Sequence, residues 1–331
     1  MVNLFPNYSG KRILVTGHTG FKGSWLVQWL CELGAEVAGY ALKPEDGSHF
    51  TRLGLLDFKI QNVFGNINDS EKMELAFLNF KPDLIFHLAA QPLVRESYED
   101  PIGTYETNVL GSMKVYRAGM KSGARGIVSI TTDKVYENLE WCYGYRETDR
   151  LGGYDPYSSS KACVEIMTNS FRRSFLANNQ MTIVTTRAGN VIGGGDYAKD
   201  RILPDLMRSV SAASPMFIRN PMSLRHWQHV LEPLRGYLMI GDQLLGKEKN
   251  LAPSYNFGPN VSENFTVKDV CSYTKQLWNE VSFQLDNSLG NSENQPHEAG
   301  LLKLDISLAQ RDLGWKPILD FNSSLEWTVE W

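Results

Sequence analysis

The sequence predicts an α/β protein: a doubly wound parallel sheet with a smaller, mostly C-terminal α/β lobe. Two observations carry this. Short β-branched runs alternate with stretches of helical periodicity through the first 190 residues, the pattern of stacked βαβ units. A glycine-rich turn also stands directly between the first such run and the first such stretch. With 331 residues, 42% of them hydrophobic and 21% charged, the chain can bury a full core without disulfide or metal staples.

Taken in order, residues 12–16, 36–42, 59–64 and 83–88 read as the first four strands, and 126–131 and 181–187 as the next two. Trp25, Leu26, Trp29, Leu30 and Leu33 recur at three- and four-residue steps before Gly34, which marks an amphipathic helix and its C-terminal stop. Similar faces run over 70–80, 101–121 and 157–176, the second opening on Pro101, where a missing N–H costs nothing. After Asn190 the spacing turns irregular, with glycines at 193–195 and more Pro and Trp. Residues 231–243 and 255–257 still read as a helix and a strand. The expected division is therefore 1–190 plus about 229–260 for the sheet domain, and about 191–228 plus 261–331 for the second lobe.

Composition excludes several functions. A net charge of −4 leaves no basic footprint for nucleic acid. Cys31, Cys142, Cys163 and Cys271 form no C-x-x-C pair and lack histidines at zinc spacing, so no metal is expected and the thiols are read as reduced and mostly buried. No stretch approaches the ~20 apolar residues of a membrane span, and residues 1–11 lack the apolar run of a signal peptide. The expected location is the cytoplasm.

The glycine turn reads Gly17-His18-Thr19-Gly20-Phe21-Lys22-Gly23. Glycines there let the backbone approach a dinucleotide pyrophosphate, and the following helix offers free N–H groups and the positive end of its dipole. The place is that of a Rossmann-type phosphate turn, with Lys22 available for a charge-assisted contact. NAD and NADP are usually told apart after the second strand, where an acidic residue holds the ribose hydroxyls. Here Gly39-Tyr40-Ala41-Leu42-Lys43 has no carboxylate, and Lys43 would suit a 2′-phosphate.

Tyr157 and Lys161 stand at i and i+4 near the start of a helix, on one face. An ammonium beside a phenol is expected to lower the phenol pKa toward general-base use. A Y-x-x-x-K pair alone says little, since roughly 0.7 arise by chance in such a chain. Its position says more: one βα unit upstream, Thr131-Thr132-Asp133-Lys134 end a strand at the edge where ligands of open α/β sheets bind.

The segments Gly17 to Leu26, His87-Leu88-Ala89-Ala90-Gln91, Asn190 to Asp196 and Trp227 to Leu234 together resemble the CDP-glucose 4,6-dehydratases of the extended short-chain dehydrogenase family, as do Glu298-Ala299 and Leu302 to Asp305. The resemblance implies NAD as cofactor, a nucleotide sugar as substrate with CDP-glucose foremost, and a homodimer or higher homo-oligomer joined by the helices at 101–121 and 157–176. It implies oxidation at glucose C4, loss of water across C5 and C6, and return of the hydride to C6. Tyr157 would deprotonate the C4 hydroxyl, Lys161 would hold the nicotinamide ribose, Thr132 would hydrogen-bond the forming ketone and Asp133 would protonate the departing C6 hydroxyl. Lys134 stands where many such enzymes carry glutamate; it is either the C5 base or an enolate stabiliser. Gly17, Gly20, Phe21, Lys22, Gly23, Tyr40, Asn66, Ile67, Leu88, Ala89, Ala90, Gln91 and Asn108 are expected around the cofactor, and Asn190, Arg201 and Arg225 at the sugar diphosphate.

Two other enzymes fit the same residues: a nucleotide-sugar 4-epimerase, which needs Tyr157 and Lys161 but not Asp133 and Lys134, and a dehydratase for another nucleotide or sugar. A non-catalytic NAD sensor is the reading outside enzymes. His226 and His229 lack further spaced ligands and are read as packing residues rather than a metal site.

Overall fold

The structure, a computed structural model, describes residues 5–56, 58–218, 220–246, 251–260, 263–285 and 300–331. The resembling pair Glu298-Ala299 lies outside the described residues. The first half alternates β1 (Arg12–Thr16), α1 (Phe21–Glu32), β2 (Glu36–Ala41), α2 (His49–Arg52), β3 (Ile60–Phe64), α3 (Ser70–Phe80) and β4 (Leu84–His87). Then come α4 (Val94–Glu99), α5 (Pro101–Tyr105), α6 (Gly111–Ser122), β5 (Gly126–Ile130), α7 (Pro156–Phe175) and β6 (Thr182–Ala188). Each strand keeps within a residue or two of its expected range.

Seven parallel strands form one sheet in the order β3-β2-β1-β4-β5-β6-β11, where β11 is Ser254–Phe257. Strand order reverses between β1 and β4, which opens the crevice at the carboxyl ends where ligands of such sheets bind. Alternation along the strands splits the core in two. Ile13, Val15, Val128 and Val184 face α1 and the later helix Leu231–Leu245, while Leu14, Ile127 and Ile183 face α3 and α6.

One expected helix differs. Between α5 and α6 the turn Glu106–Leu110 is π-helical. The wider turn places Asn108 inward, fully buried, where its amide donates to the Gln91 carbonyl (3.1 Å) and the Ser160 hydroxyl (2.9 Å). Apolar periodicity carries no signal for a single widened turn.

The rest of the chain contributes β7 (Asn190–Ile192), α8 (Ile202–Ser211), β8 (Met216–Ile218), β9 (Leu224–Arg225), β10 (Trp227–His229), α9 (Leu231–Leu245), β12 (Phe265–Thr266), α10 (Val267–Leu277), β13 (Phe283–Leu285), α11 (Ser307–Leu313) and α12 (Phe321–Glu330). Three two-stranded pairs, β7 with β10, β9 with β12 and β8 with β13, surround a separate core of Leu203, Leu206, Trp227, Val270, Phe321 and Leu325. Ala309, Leu313 and Trp315 instead pack back into the core of the large sheet. All four cysteines are unpaired; Cys142 is exposed rather than buried, because its loop lies on the surface.

Five histidines are buried among the described residues, and burial lowers His18, His49, His226 and His229 to about 4 and His87 to about 3. The unfolded chain binds protons near the ordinary 6.5 while the folded chain does not, so stability is lost as pH falls from about 6.5 toward 4. Urea unfolding at pH 5 should show roughly 5 kcal/mol or more less stability than at pH 7, with up to five protons taken up. An unchanged midpoint would contradict this burial.

Candidate active site

The glycine turn bends as its sequence requires. Gly17 has φ +73°, and a Cβ there would sit 2.7 Å from the Ala89 backbone nitrogen; a Cβ on Gly23 would run into the Gly17 carbonyl oxygen. Helix α1 begins at N-cap Gly20 with no side-chain cap, so its first N–H groups are left to an incoming acceptor. The turn therefore fits a dinucleotide phosphate. Thr16 and His87 brace the strand ends beneath it: the Thr16 hydroxyl meets His87 Nδ1 at 2.7 Å, and His87 Nε2 meets the Ser112 hydroxyl at 2.8 Å. His18 is buried and pairs with Asn62 (2.9 Å).

A cleft of about 900 Å³ lies at the carboxyl edge of the sheet, between it and the second lobe. Thr132, Asp133, Lys134, Tyr157, Asn190, Arg201 and Arg225 all line it, and so does Lys22. Residues scattered over most of the chain are thus gathered around one space. Of the other expected cofactor residues, Leu88, Ala89, Ala90 and Gln91 form the partly exposed segment after β4, and Phe21 packs against the large core near Val230. Tyr40 and Ile67 are buried in the core, with the Tyr40 hydroxyl donating to the Asn66 carbonyl (3.0 Å), so neither side chain opens to the surface. The Asn66 side chain accepts from the Asn68 N–H (2.9 Å) and shapes its own turn.

Helix α7 carries Tyr157 and Lys161. Asp155 caps it, accepting from the Ser158 N–H (2.9 Å) and the Ser158 hydroxyl (2.6 Å), and Pro156 fills the first turn. Lys161 is buried, donates to the Ile130 carbonyl (3.2 Å), and is lowered to about 8 by burial against the pull of Glu165. The expectation that Lys161 acidifies Tyr157 is not met in this structure. Burial pushes the phenol up to about 12, with the Thr132 hydroxyl opposing and the Asp133 charge adding to the rise. Desolvation outweighs the surrounding charges.

Thr132 donates to the Asp133 carboxylate (3.0 Å) and accepts from the Lys134 N–H, which turns the strand end into a short helical turn, Asp133–Val135. Asp133 is 6% exposed, and burial raises its carboxyl pKa while Lys134, Thr132, Arg225 and Lys22 hold it down. Arg201 pairs with Asp196 at 2.8 Å. Arg225 donates to the Leu224 carbonyl (2.9 Å). His226 and His229 are buried, His229 lying edge-on to Trp25 and Trp327, and no cluster of three or more metal-binding side chains occurs among the described residues.

Sequence reading missed the support below. Glu165, 4% exposed, receives Thr131 (2.6 Å), Thr185 (2.7 Å) and two nitrogens of Arg187 (2.9 Å each), and Arg187 goes on to the Tyr136 hydroxyl (2.7 Å) and the Glu147 carbonyl (3.0 Å). The available signal was spacing: Glu165 continues the Tyr157, Lys161 face of α7 by one more step of four.

Comparison with known proteins follows the same lines. The model of the GDP-mannose 4,6 dehydratase family matches residues 14–328. The chain is similar to CDP-glucose 4,6-dehydratase of Salmonella typhimurium, 45% identical, over 98% of this chain and 91% of that enzyme. It is also similar to dTDP-glucose 4,6-dehydratase of that organism, 25% identical over 97% and 92% of the two chains. Among solved structures, dTDP-glucose 4,6-dehydratase DesIV of Streptomyces venezuelae with NAD and TYD bound superposes with TM-score 0.80 at 22% identity, over 97% and 96% of the chains. UDP-glucose 4-epimerase of Thermotoga maritima with UDP-glucose does so at 0.80 and 24%, over 96% and 97%. These structural likenesses establish the fold.

Removing one partner of a buried ion pair strands the other. Glu165→Ala should cost roughly 3–5 kcal/mol in urea unfolding, while the double variant Glu165→Leu with Arg187→Met should recover most of that loss. Equal loss in both would show that the pair does not act as a unit.

Proposed function

The chain belongs to the GDP-mannose 4,6 dehydratase family, and from that premise we propose that it is a hydro-lyase converting CDP-glucose to CDP-4-keto-6-deoxyglucose with NAD. The observation that carries the reading is the convergence of Thr132, Asp133, Lys134 and Tyr157 on one cleft, directly beside a glycine turn built for a dinucleotide. The 45% identity to a CDP-glucose enzyme over nearly the whole chain supports CDP-glucose among nucleotide sugars.

The glycines of the 17–23 turn, the segment after β4 and Lys161 would hold NAD, which would supply a reversible hydride acceptor for C4 and donor for C6. Tyr157 takes the proton of the C4 hydroxyl. As second residue of α7 it lies at the positive end of the helix dipole, which favours the phenolate that burial opposes. Thr132 hydrogen-bonds the C4 oxygen as it becomes a ketone. The ketone makes the C5 proton acidic; that proton leaves, the C5–C6 double bond forms and the C6–oxygen bond breaks. Asp133 delivers a proton to the departing oxygen, so water is released; burial raises the pKa of this carboxyl group, the direction that favours a proton donor. Lys134, lining the same cleft, either takes the C5 proton as a neutral amine and returns it to C5 when hydride reaches C6, or holds the enolate as a cation while another base in the cleft takes and returns that proton.

In the same proposal residues 1–190 with about 229–260 bind NAD, and about 191–228 with 261–331 bind the nucleotide sugar, Asn190, Arg201 and Arg225 facing the diphosphate. Among the described residues no helix is long and apolar enough to cross a membrane, in keeping with work in the cytoplasm. Exposed Ile102, Leu110, Ile166 and Phe175 on the helices that begin at Pro101 and Pro156 support a homodimer or larger homo-oligomer.

Incubation with CDP-glucose should yield a product lighter by one water, with little product from dTDP-, GDP- or UDP-glucose. A product of unchanged mass would mean epimerisation, and no product with any sugar would mean a sensor. Tyr157→Phe should lose the initial C4 oxidation by roughly 10²–10⁴-fold. Lys134→Ala should bind NAD as the parent does and still oxidise C4, but fail to eliminate water; full turnover by this variant would remove Lys134 from the chemistry.

A further inference from the structure

Lys22 belongs by sequence to the glycine turn, where a lysine would be assigned to the dinucleotide phosphates. The structure also places it on the cleft. It is the second residue of α1, its side chain lines the substrate cleft together with Asp133, Tyr157 and Asp196, and among the described residues its ammonium makes no hydrogen bond or ion pair. Several other charges along this cleft are already paired: Arg201 with Asp196, Arg95 with Asp200, Arg150 with Glu137. Asp133 is different. It is 6% exposed and its carboxylate receives only the Thr132 hydroxyl among described residues.

We propose that Lys22 is a positioning residue of the sugar site, its ammonium acting across the cleft on Asp133 to set that group's acidity for the elimination of water. This rests on the dehydratase reading above. The physical need is plain. A nearly buried carboxyl group with few partners is too weak an acid to release its proton readily, and general-acid catalysis works best when the pKa lies near the operating pH. Burial raises Asp133, and the charges that bring it back come from three elements: Lys134 beside it, Arg225 on β9 and Lys22 on α1, with Tyr157 of α7 facing it as well. Lys22 in turn faces Arg201 and Lys161, which disfavour its charge, and Asp133 and Asp196, which favour it; burial lowers it to about 8, so it is still largely cationic at neutral pH. When Asp133 gives its proton to the C6 oxygen and the C6–O bond breaks, the carboxylate left behind is stabilised by this cation.

The sign follows. Asp133 acts protonated, so elimination fails as pH rises through its pKa. Removing a nearby cation raises that pKa and weakens the acid.

Lys22→Met is the test, with Lys22→Arg as the conservative partner and Lys22→Gln in place of Met should Met not fold. With parent protein turning over CDP-glucose in the same assay, Lys22→Met should eliminate water ~3–10-fold more slowly, so that reduced nicotinamide builds up before product. The alkaline limb of the elimination step should move up by ~0.5–1 pH unit, and Lys22→Arg should restore most of the rate and the limb. NAD affinity, read by direct titration, should stay within ~3-fold of the parent. A tenfold loss of NAD affinity with an unmoved limb would place Lys22 on the dinucleotide and overturn the proposal. A raised KM for CDP-glucose with unchanged kcat and limb would place it on the sugar diphosphate and overturn it too. If the parent itself releases no water, the dehydratase reading fails first, which keeps the two failures apart.

Discussion

The geometry of the site depends on the buried pair of Glu165 and Arg187. Two charges taken almost wholly out of water are costly unless every lone pair and proton finds a partner. Here they do: the carboxylate receives two hydroxyls and two guanidinium nitrogens, and the guanidinium reaches a phenol and a carbonyl. Those partners come from α7, the end of β5, β6 and the loop after β5. One small network therefore fixes the helix bearing Tyr157 and Lys161 against the strand end bearing Thr132, Asp133 and Lys134. Well-packed apolar residues would hold the same elements together as firmly; what the polar network adds is a single register.

The fold and half of the site were legible in sequence for one reason: they rest on local periodicity and local turns. The strand runs 12–16 and 126–131 needed only β-branched residues, and the glycine turn needed only its spacing next to the first of them. The π-helical turn at Glu106–Leu110 left no such trace, since one extra residue in a helix does not disturb apolar spacing enough to be read. Nor did Arg187, which sits in a run of buried strand residues and whose partner lies 22 positions away. Lys22 was legible as a residue of the phosphate turn; that it also lines the cleft with Asp133 and Tyr157 was not.

Electrostatics could not be read from pairing alone. An i, i+4 lysine suggests an acidified tyrosine, yet in the folded site burial outweighs the pairing: Tyr157 rises, Asp133 rises, and Lys161 and Lys22 fall. All four shifts disfavour charge, the common direction for groups moved into a dry cleft. Such a site favours neutral reactants and responds strongly to any charge that develops within it, because little water remains to screen the response.

The same reasoning bears on why one fold serves epimerases and dehydratases alike. The sheet, the glycine turn and the Glu165–Arg187 network are built from longer strands and fully paired buried groups and form one wall of the cleft. The opposite wall of the cleft is made of two- and three-residue strand pairs, too short to be stable alone, held by a separate core around Trp227 and Phe321. Arg225 is presented by one of those short strands, β9, and Arg201 by the N-cap of α8. Substitutions on that wall can change which nucleotide is admitted without disturbing the register of Tyr157 and Lys161. On the proposed mechanism, changes at Asp133, Lys134 and Lys22 then decide whether oxidation at C4 leads on to loss of water.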